Sequence, residues 1–295
     1  MLNIKNFMHD KEQITHKSNE LEQALYSYEI NKIYWLNKNS IKCTGVAELH
    51  RLGELEKGYY KEILGNFNHD EIHELNSILE SICSKTTKPK YSIDISEING
   101  FSASGSNLNE FINMTHFVEA KCLQYFEISP EELEKNLAWG EVRIINRKNT
   151  SDHFRMYGWS DKLFLINDGG SHHLASAQYI ASRLNTQVPL TGRLDLIALD
   201  RTGLNNFLKT YSSILMPRSD FSYLYEKFDL SECKILFYTS KFLPSESILM
   251  IYKHGDISDS LDAQLKYFFT DFNIELIKFY EYQKYNEKFN RYVTT

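Results

Sequence analysis

The sequence is poor in the features that staple, span or bend a chain. It has four cysteines, at positions 43, 83, 122 and 233, and no two of them form a C-x-x-C pair. That excludes a zinc knuckle and a thioredoxin-type redox pair. Isolated cysteines of this kind are most often small buried hydrophobes in a reducing compartment. No apolar run approaches the roughly 18–20 residues that a membrane helix needs. Runs such as Leu163–Ile166 and Ile248–Tyr252 are far shorter. The first residues, MLNIKNFMHDKEQ, lack the apolar core and small-residue cleavage site of a secretory signal. The expectation is a cytoplasmic protein with no membrane partner; secretion by a route that leaves no cleavable signal stays open. Neither sign of charge dominates: 33 Lys and Arg against 39 Asp and Glu leave a net charge of −6. Bulk electrostatic capture of nucleic acid is disfavoured, although a local basic patch is not excluded. Glycine is scarce, with 13 in 295 residues, below the usual share of about 7%. No proline precedes Pro89.

What is present describes an ordinary globular chain. Hydrophobic residues make up 42% and charged residues 24%, which excludes a disordered or fibrous protein. The length suits one large domain or two modest ones. The richness in Tyr, Asn, Lys and Ile is of the kind AT-rich coding produces and is not read as a base-stacking surface.

Apolar spacing predicts an α+β fold: a helical N-terminal half, then a mixed α/β half. The expected regions are 1–100 (helical), 101–205 (α/β core) and 206–295 (an α/β extension). Leu49, Leu52, Leu55, Tyr59 and Ile63 repeat at helical spacing, as do Ile72, Leu75, Ile78, Leu79 and Ile82. Residues 86–107, rich in Lys, Thr, Ser and Gly, read as a polar connector. Helix is expected from Phe111 to Phe126. Ser129-Pro130-Glu131-Glu132 then starts a helix that ends near Gly140, because Ser caps, Pro fits the first turn and Glu follows three residues after the cap. The segment EVRIINR alternates like a strand. His153–Tyr157 and Lys162–Ile166 read as paired strands, and RLDLIAL as another. Beyond residue 200 the reading is helix (202–215), helix (219–227), strand (233–239), strand (247–253), helix (258–270) and strand (274–281).

The segment FLINDGGSHHLASAQYIASRLN carries the chemistry. A buried strand runs into Asp168, Gly169, Gly170, Ser171, His172 and His173, and an amphipathic helix follows. Paired glycines at such a turn suggest positive φ and close approach to the main chain. The helix start offers unpaired amides and the positive end of a macrodipole, which together suit an anion such as phosphate. Ser171 and the two imidazoles add donors.

This order of strand, D-G-G-S-H-H, small-residue helix and strand resembles the nucleotide-binding segment of the ParB/sulfiredoxin superfamily over residues 141–199. The resemblance implies that Gly169 and Gly170 cradle nucleotide phosphates. Ser171 falls where sulfiredoxins have their reactive Cys, His172 matches their His, and His173 falls where they have Arg. A serine in place of the thiol makes sulfinic-acid reduction unsuitable. A histidine in place of Arg weakens permanent phosphate pairing, which Arg183 or Arg193 could restore. The implied activity is phosphotransfer or hydrolysis dependent on ATP or another NTP with Mg²⁺, on an unidentified acceptor. Asp168, Ser171 and His172 would be catalytic, with Asp168 as base or Mg²⁺ ligand. Gly169, Gly170, Ser171, His172, His173, Arg143 and Arg193 would hold the nucleotide. The competing reading of this segment is a tight turn with a polar helix cap.

Three rivals belong to other classes. A ParB-like nucleic-acid-binding protein or nuclease is one. The interleaved aromatics and bases of KFYEYQKYNEKFNRY can bind nucleic acid, but in a strand they read better as one buried aromatic face and one solvated charged face. A cysteine-dependent hydrolase or effector would use Cys43, ahead of a predicted helix, with His172 and Asp195 downstream. A binding module would present its N-terminal helices to a protein partner. His69 and His73 stand one helical turn apart, but Asp70 occupies the place where a zinc-protease motif needs Glu, so they read as surface residues and no metal site is expected.

Overall fold

The computed structural model of the chain describes residues 40–45, 48–57, 63–64, 67–221, 234–239 and 247–294. The strands, in order, are β1 (Ile63–Leu64), β2 (Cys83–Asp94), β3 (Ile98–Phe101), β4 (His153–Tyr157), β5 (Leu163–Ile166), β6 (Pro189–Leu199), β7 (Tyr211–Pro217), β8 (Leu236–Tyr238), β9 (Ser247–Lys253) and β10 (Thr270–Asp271). The α-helices are α1 (His69–Ser81), α2 (Met114–Lys121), α3 (Pro130–Leu137), α4 (Arg143–Asn146), α5 (Ser171–Arg183), α6 (Arg201–Thr210), α7 (Asp259–Phe268), α8 (Phe272–Tyr285) and α9 (Glu287–Thr294). The fold class is α+β, as the apolar spacing indicates.

The chain divides into two compact units, each built from separated stretches. Among the described residues, one takes in 51–82 and 201–278; the other takes in 40–50, 83–200 and 279–294. The first contains a five-stranded antiparallel sheet in the order β1-β8-β9-β7-β10. Its core gathers Ile214, Met216, Phe237, Ile248, Met250 and Leu265.

The second unit carries the candidate site. Its sheet has the order β2-β6-β4-β5-β3. The β2/β6 and β4/β5 pairs are antiparallel, while β4/β6 and β3/β5 are parallel. Phe154 and Met156 of β4, Leu163 and Leu165 of β5, and Leu194 and Leu196 of β6 meet Leu174, Ala177, Ile180 and Ala181 of α5 in one core. The alanines allow the helix close to the sheet. Burying such side chains is worth about 25 cal/mol per Å² of apolar surface, which makes this the main source of the unit's stability.

Several elements differ from the sequence reading. Residues 86–107 are not a connector. β2 pairs with β6 from Cys83 opposite Leu199 to Asp94 opposite Pro189, and β3 follows. As the edge strand, β2 exposes side chains on both faces, so no apolar alternation marks it; Lys85, Lys88, Pro89 and Lys90 are the kind of residues that blunt an edge. EVRIINR is the short helix α4 rather than a strand, because Asn146 Nδ2 donates to the carbonyls of Leu137, Trp139 and Val142 and gathers the chain around itself. Residues 274–281 lie in helix α8, where Phe272, Leu276 and Phe279 are buried at helical spacing. Their neighbours Glu275 and Lys278 pair one turn apart at 2.6 Å. The helix expected over 202–215 stops at Thr210, and Tyr211–Pro217 is strand. The helix expected over 111–126 is split into α2 and a 3-10 turn, Leu123–Tyr125. Leu49–Lys57 is a 3-10 helix. The expected helices over residues 1–39 and most of 219–227 lie outside the described residues, and with them much of the surface proposed for a protein partner.

Candidate phosphate and nucleotide site

The site is built where β5 runs into α5. Gly169 has φ +134° and Gly170 φ +69°, both in the region that favours glycine. At Gly170 there is a second reason: a Cβ would stand 2.4 Å from the Glu141 carbonyl oxygen. The glycine pair thus admits the chain's own backbone at Glu141, and not only an outside ligand.

The turn is held by a facing loop, residues 102–107. Asn167 Nδ2 donates to the carbonyls of Ala103 (3.0 Å) and Gly169 (2.8 Å), and its Oδ1 accepts from Ala103 N–H at 3.1 Å. Ser171 is buried and donates to Ser104 Oγ at 2.9 Å. His172 Nε2 lies 3.0 Å from Ser106 Oγ, and the imidazole packs on Phe117. Among the described residues no side chain caps α5. Among the described residues, no acceptor takes the N–H groups of Gly169, Gly170, Ser171, His172 or His173; the first bond of the helix runs from Leu174 N–H to the Gly170 carbonyl. The helix therefore begins with open donors at its positive end.

Beside this first turn lies a cavity of about 300 Å³. His172, His173 and Ser176 of α5 line it with Lys121, Cys122, Tyr125, Lys135, Asn136 and Trp139. Helices α2 and α3 deliver the two lysines. Trp139 stacks on His173 and stays half-exposed, and Tyr125 is more exposed still. Glu132 also borders the cavity, bonded to Lys135 at 3.1 Å. The tautomer of His173 follows from its neighbours. Asn136 Nδ2 donates to the Glu132 carbonyl at 2.9 Å, so Asn136 Oδ1 is the acceptor that faces His173 Nδ1 at 2.9 Å. Neutral His173 spends its one N–H there and keeps a lone pair on Nε2. Burial holds both imidazoles below the ordinary histidine value; the charge of Lys121 adds to this at His172, and His172 adds to it at His173.

The remaining expected residues lie elsewhere. Asp168 is exposed and its carboxylate meets Arg143 at 2.5 Å. Both flank the turn, and neither lines the cavity. Arg193 is on β6, where its Nε is 3.3 Å from Asp195 Oδ1. Arg183 is at the far end of α5, over the ring of Tyr179. Among the described residues no group of three or more His, Cys, Asp or Glu side chains could hold a metal ion.

Asp195 belongs to a buried polar network on the other face of the sheet. Alternation along β4 sends His153, Arg155 and Tyr157 there. Arg155 reaches Glu48 Oε1 at 3.4 Å and donates to His153 Nε2 at 3.2 Å; His153 Nδ1–H donates to the Ser151 carbonyl at 2.8 Å. Tyr157 donates to Glu48 Oε1 at 3.1 Å, and Thr87 donates to Asp195 Oδ1 at 3.0 Å. Burial, aided by the charges of Arg155 and Arg193, holds His153 below the ordinary histidine value, despite its bond to Ser151 and the Asp195 carboxylate 3.3 Å away. Cys43 joins the network, with Sγ 3.6 Å from the Tyr157 hydroxyl. Burial, with the charge of Glu48, pushes its thiol up to about 12. Cys43 and His172 have different neighbours: Cys43 lies against the Tyr157 hydroxyl, whereas His172 bonds Ser106 and packs on Phe117.

Sequence reasoning missed Lys121, Lys135 and Trp139, and it missed the serine loop over the turn. It also missed the network, although alternation in HFRMY was a usable signal for it.

A family model described as a family of unknown function (DUF6685) matches residues 88–288, and the chain belongs to that family. No curated protein and no solved structure matches the chain significantly.

Proposed function

We propose that this protein binds a nucleoside triphosphate beside the first turn of α5 and uses it for phosphotransfer or hydrolysis. The observation that carries the reading is a helix start whose first N–H groups have no acceptor among the described residues, next to a cavity that His172 and His173 of that turn line together with two lysines. Helix amides and lysines are a common phosphate environment. Trp139 and Tyr125 offer faces on which a base can stack. The order β5, glycine turn, α5, β6 supports the resemblance to the ParB/sulfiredoxin superfamily. Asp168 is the carboxylate beside the turn, and to meet Mg²⁺ carried in with the nucleotide it would have to give up its pairing with Arg143.

Titration calorimetry of the full chain with ATP, CTP and GTP, each with and without Mg²⁺, tests the reading. Saturable binding is expected, weakened by Lys121→Ala and by Lys135→Ala. Absence of binding by all three nucleotides, or binding indifferent to both variants, overturns it.

A further inference from the structure

A second cavity, about 640 Å³, lies on another face of α5 and shares no lining residue with the first. Three cations reach it from three elements: Arg183 from the end of α5, Lys162 from just before β5, and Lys288 from α9. Asp161 is the only carboxylate in its lining. Lys288 Nζ donates to Asn99 Oδ1 at 2.9 Å, and among the described residues no carboxylate lies within 4.0 Å of it. Lys162 donates to the Ser40 carbonyl at 2.7 Å. The Arg183 guanidinium sits 4.8 Å from the centroid of Tyr179 and donates to its hydroxyl, again with no carboxylate partner among the described residues.

The neutral groups on the wall are oriented too. Gln178 Nε2 donates to the carbonyls of Ile95 (2.7 Å) and Ile98 (2.8 Å). That fixes the carboxamide and leaves Oε1 as an acceptor for an incoming hydroxyl. Ser96, Ser182 and Thr115 add hydroxyl groups. Lys162 and Lys288 are half-buried and Arg183 is exposed; with three cations and one carboxylate in the lining, the wall suits an anion. Burial already lowers the pKa of both Lys162 and Lys288.

We infer that this cavity is a second anion site, taking a phosphorylated, hydroxyl-bearing small molecule. Lys288 and Arg183 grip the phosphate, and Gln178 and the hydroxyl side chains read the polar remainder. The volume exceeds what a bare phosphate needs and lies within the usual range for small-molecule sites. None of these residues lines the cavity beside the first turn of α5.

The test is titration of the full chain with ribose 5-phosphate, with ribose as control. Ribose 5-phosphate binds and ribose does not. Lys288→Gln and Arg183→Gln each weaken binding by about tenfold, as loss of one charge-assisted contact implies, while His173→Ala leaves it unchanged. In wild-type protein, ribose 5-phosphate also shields Lys288 from reductive methylation, read by peptide mass mapping; this arm holds even if a variant misfolds. No binding, binding lost in His173→Ala but kept in Lys288→Gln, or methylation of Lys288 unaffected by ligand overturns the inference.

Discussion

The imidazole of His173 lies almost flat on the indole of Trp139, with ring centroids 4.3 Å apart and 22° between the planes. Burial and the neighbouring His172 keep the imidazole neutral at pH 7. An imidazolium over the indole face would be a cation–π pair, and it quenches indole emission. Tryptophan emission is therefore expected to fall on acidification, with a midpoint below the ordinary histidine value of about 6.5. Trp139→Phe should remove that component from the titration. Because the folded pKa is depressed, the stability tied to neutral His173 is present above the unfolded value and is lost as pH falls through the folded one.

If the proposed nucleotide occupies this cavity, the same tautomer sets how its affinity depends on pH. With its N–H committed to Asn136, His173 offers phosphate only a lone pair. A phosphate oxygen can be met at Nε2 after a proton is taken up there. ATP affinity should rise as pH falls from 8 to 6, by at most about tenfold per pH unit for one linked proton. Calorimetry in two buffers of different ionisation enthalpy checks the uptake directly. His173→Gln should flatten the dependence, and a flat wild-type profile would remove His173 from phosphate contact.

The turn that anchors these arguments was legible in the sequence, and its surroundings were not. Two adjacent glycines in a glycine-poor chain pointed to positive φ, which Gly169 and Gly170 show. Nothing local could reveal that Gly170 also faces the Glu141 carbonyl. Lys121 and Lys135 join the cavity because α2 and α3 pack on α5, a matter of tertiary arrangement. β2 was missed because an edge strand can be polar on both faces. α8 was missed because aromatic residues interleaved with charged ones satisfy strand and helix spacing alike over a short window. The network around Arg155 was missed: alternation in HFRMY could have set His153 and Tyr157 on the same face as Arg155, but Glu48 lies 107 residues away.

Gly170 and Gly105 provide a matched pair for backbone strain. Alanine at 170 meets the Glu141 carbonyl at 2.4 Å and must adopt φ +69°. A loss of about 1–3 kcal/mol is expected from the left-handed backbone and the crowding. Alanine at 105 meets nothing within 4 Å and should stay within about 0.5 kcal/mol of wild type. Urea melts of both variants measure the difference; equal melts would mean that the turn relaxes freely.

Cys43 offers a test of the cysteine-dependent alternative. A thiol held up to about 12 by burial and Glu48 carries almost no thiolate at neutral pH, so low iodoacetamide should leave Cys43 unmodified in the native protein and label it after denaturation. The linkage has a definite sign. With the folded pKa above the ordinary thiol value, this group's contribution to stability is complete below that value and is lost as pH rises toward 12. Rapid native labelling of Cys43, mapped by mass spectrometry, would return it to consideration as a nucleophile.

Arg155 is the residue on which the buried network turns. Its guanidinium lies 3.4 Å from Glu48 and 4.0 Å from Asp195, so it compensates two carboxylates that are almost fully buried. Arg155→Met keeps much of the volume and removes the charge. Breaking a buried pair from one side typically costs about 3–5 kcal/mol, because the partner is left uncompensated. Chemical denaturation should show a loss of that size. Adding Glu48→Gln to Arg155→Met should recover part of it, since the double variant no longer buries an unpaired carboxylate at 48. If the two losses simply add, Glu48 and Arg155 are not coupled. The segment around residue 48 would then be held to the sheet by the Tyr157 hydrogen bond and by packing, with no contribution from that ion pair.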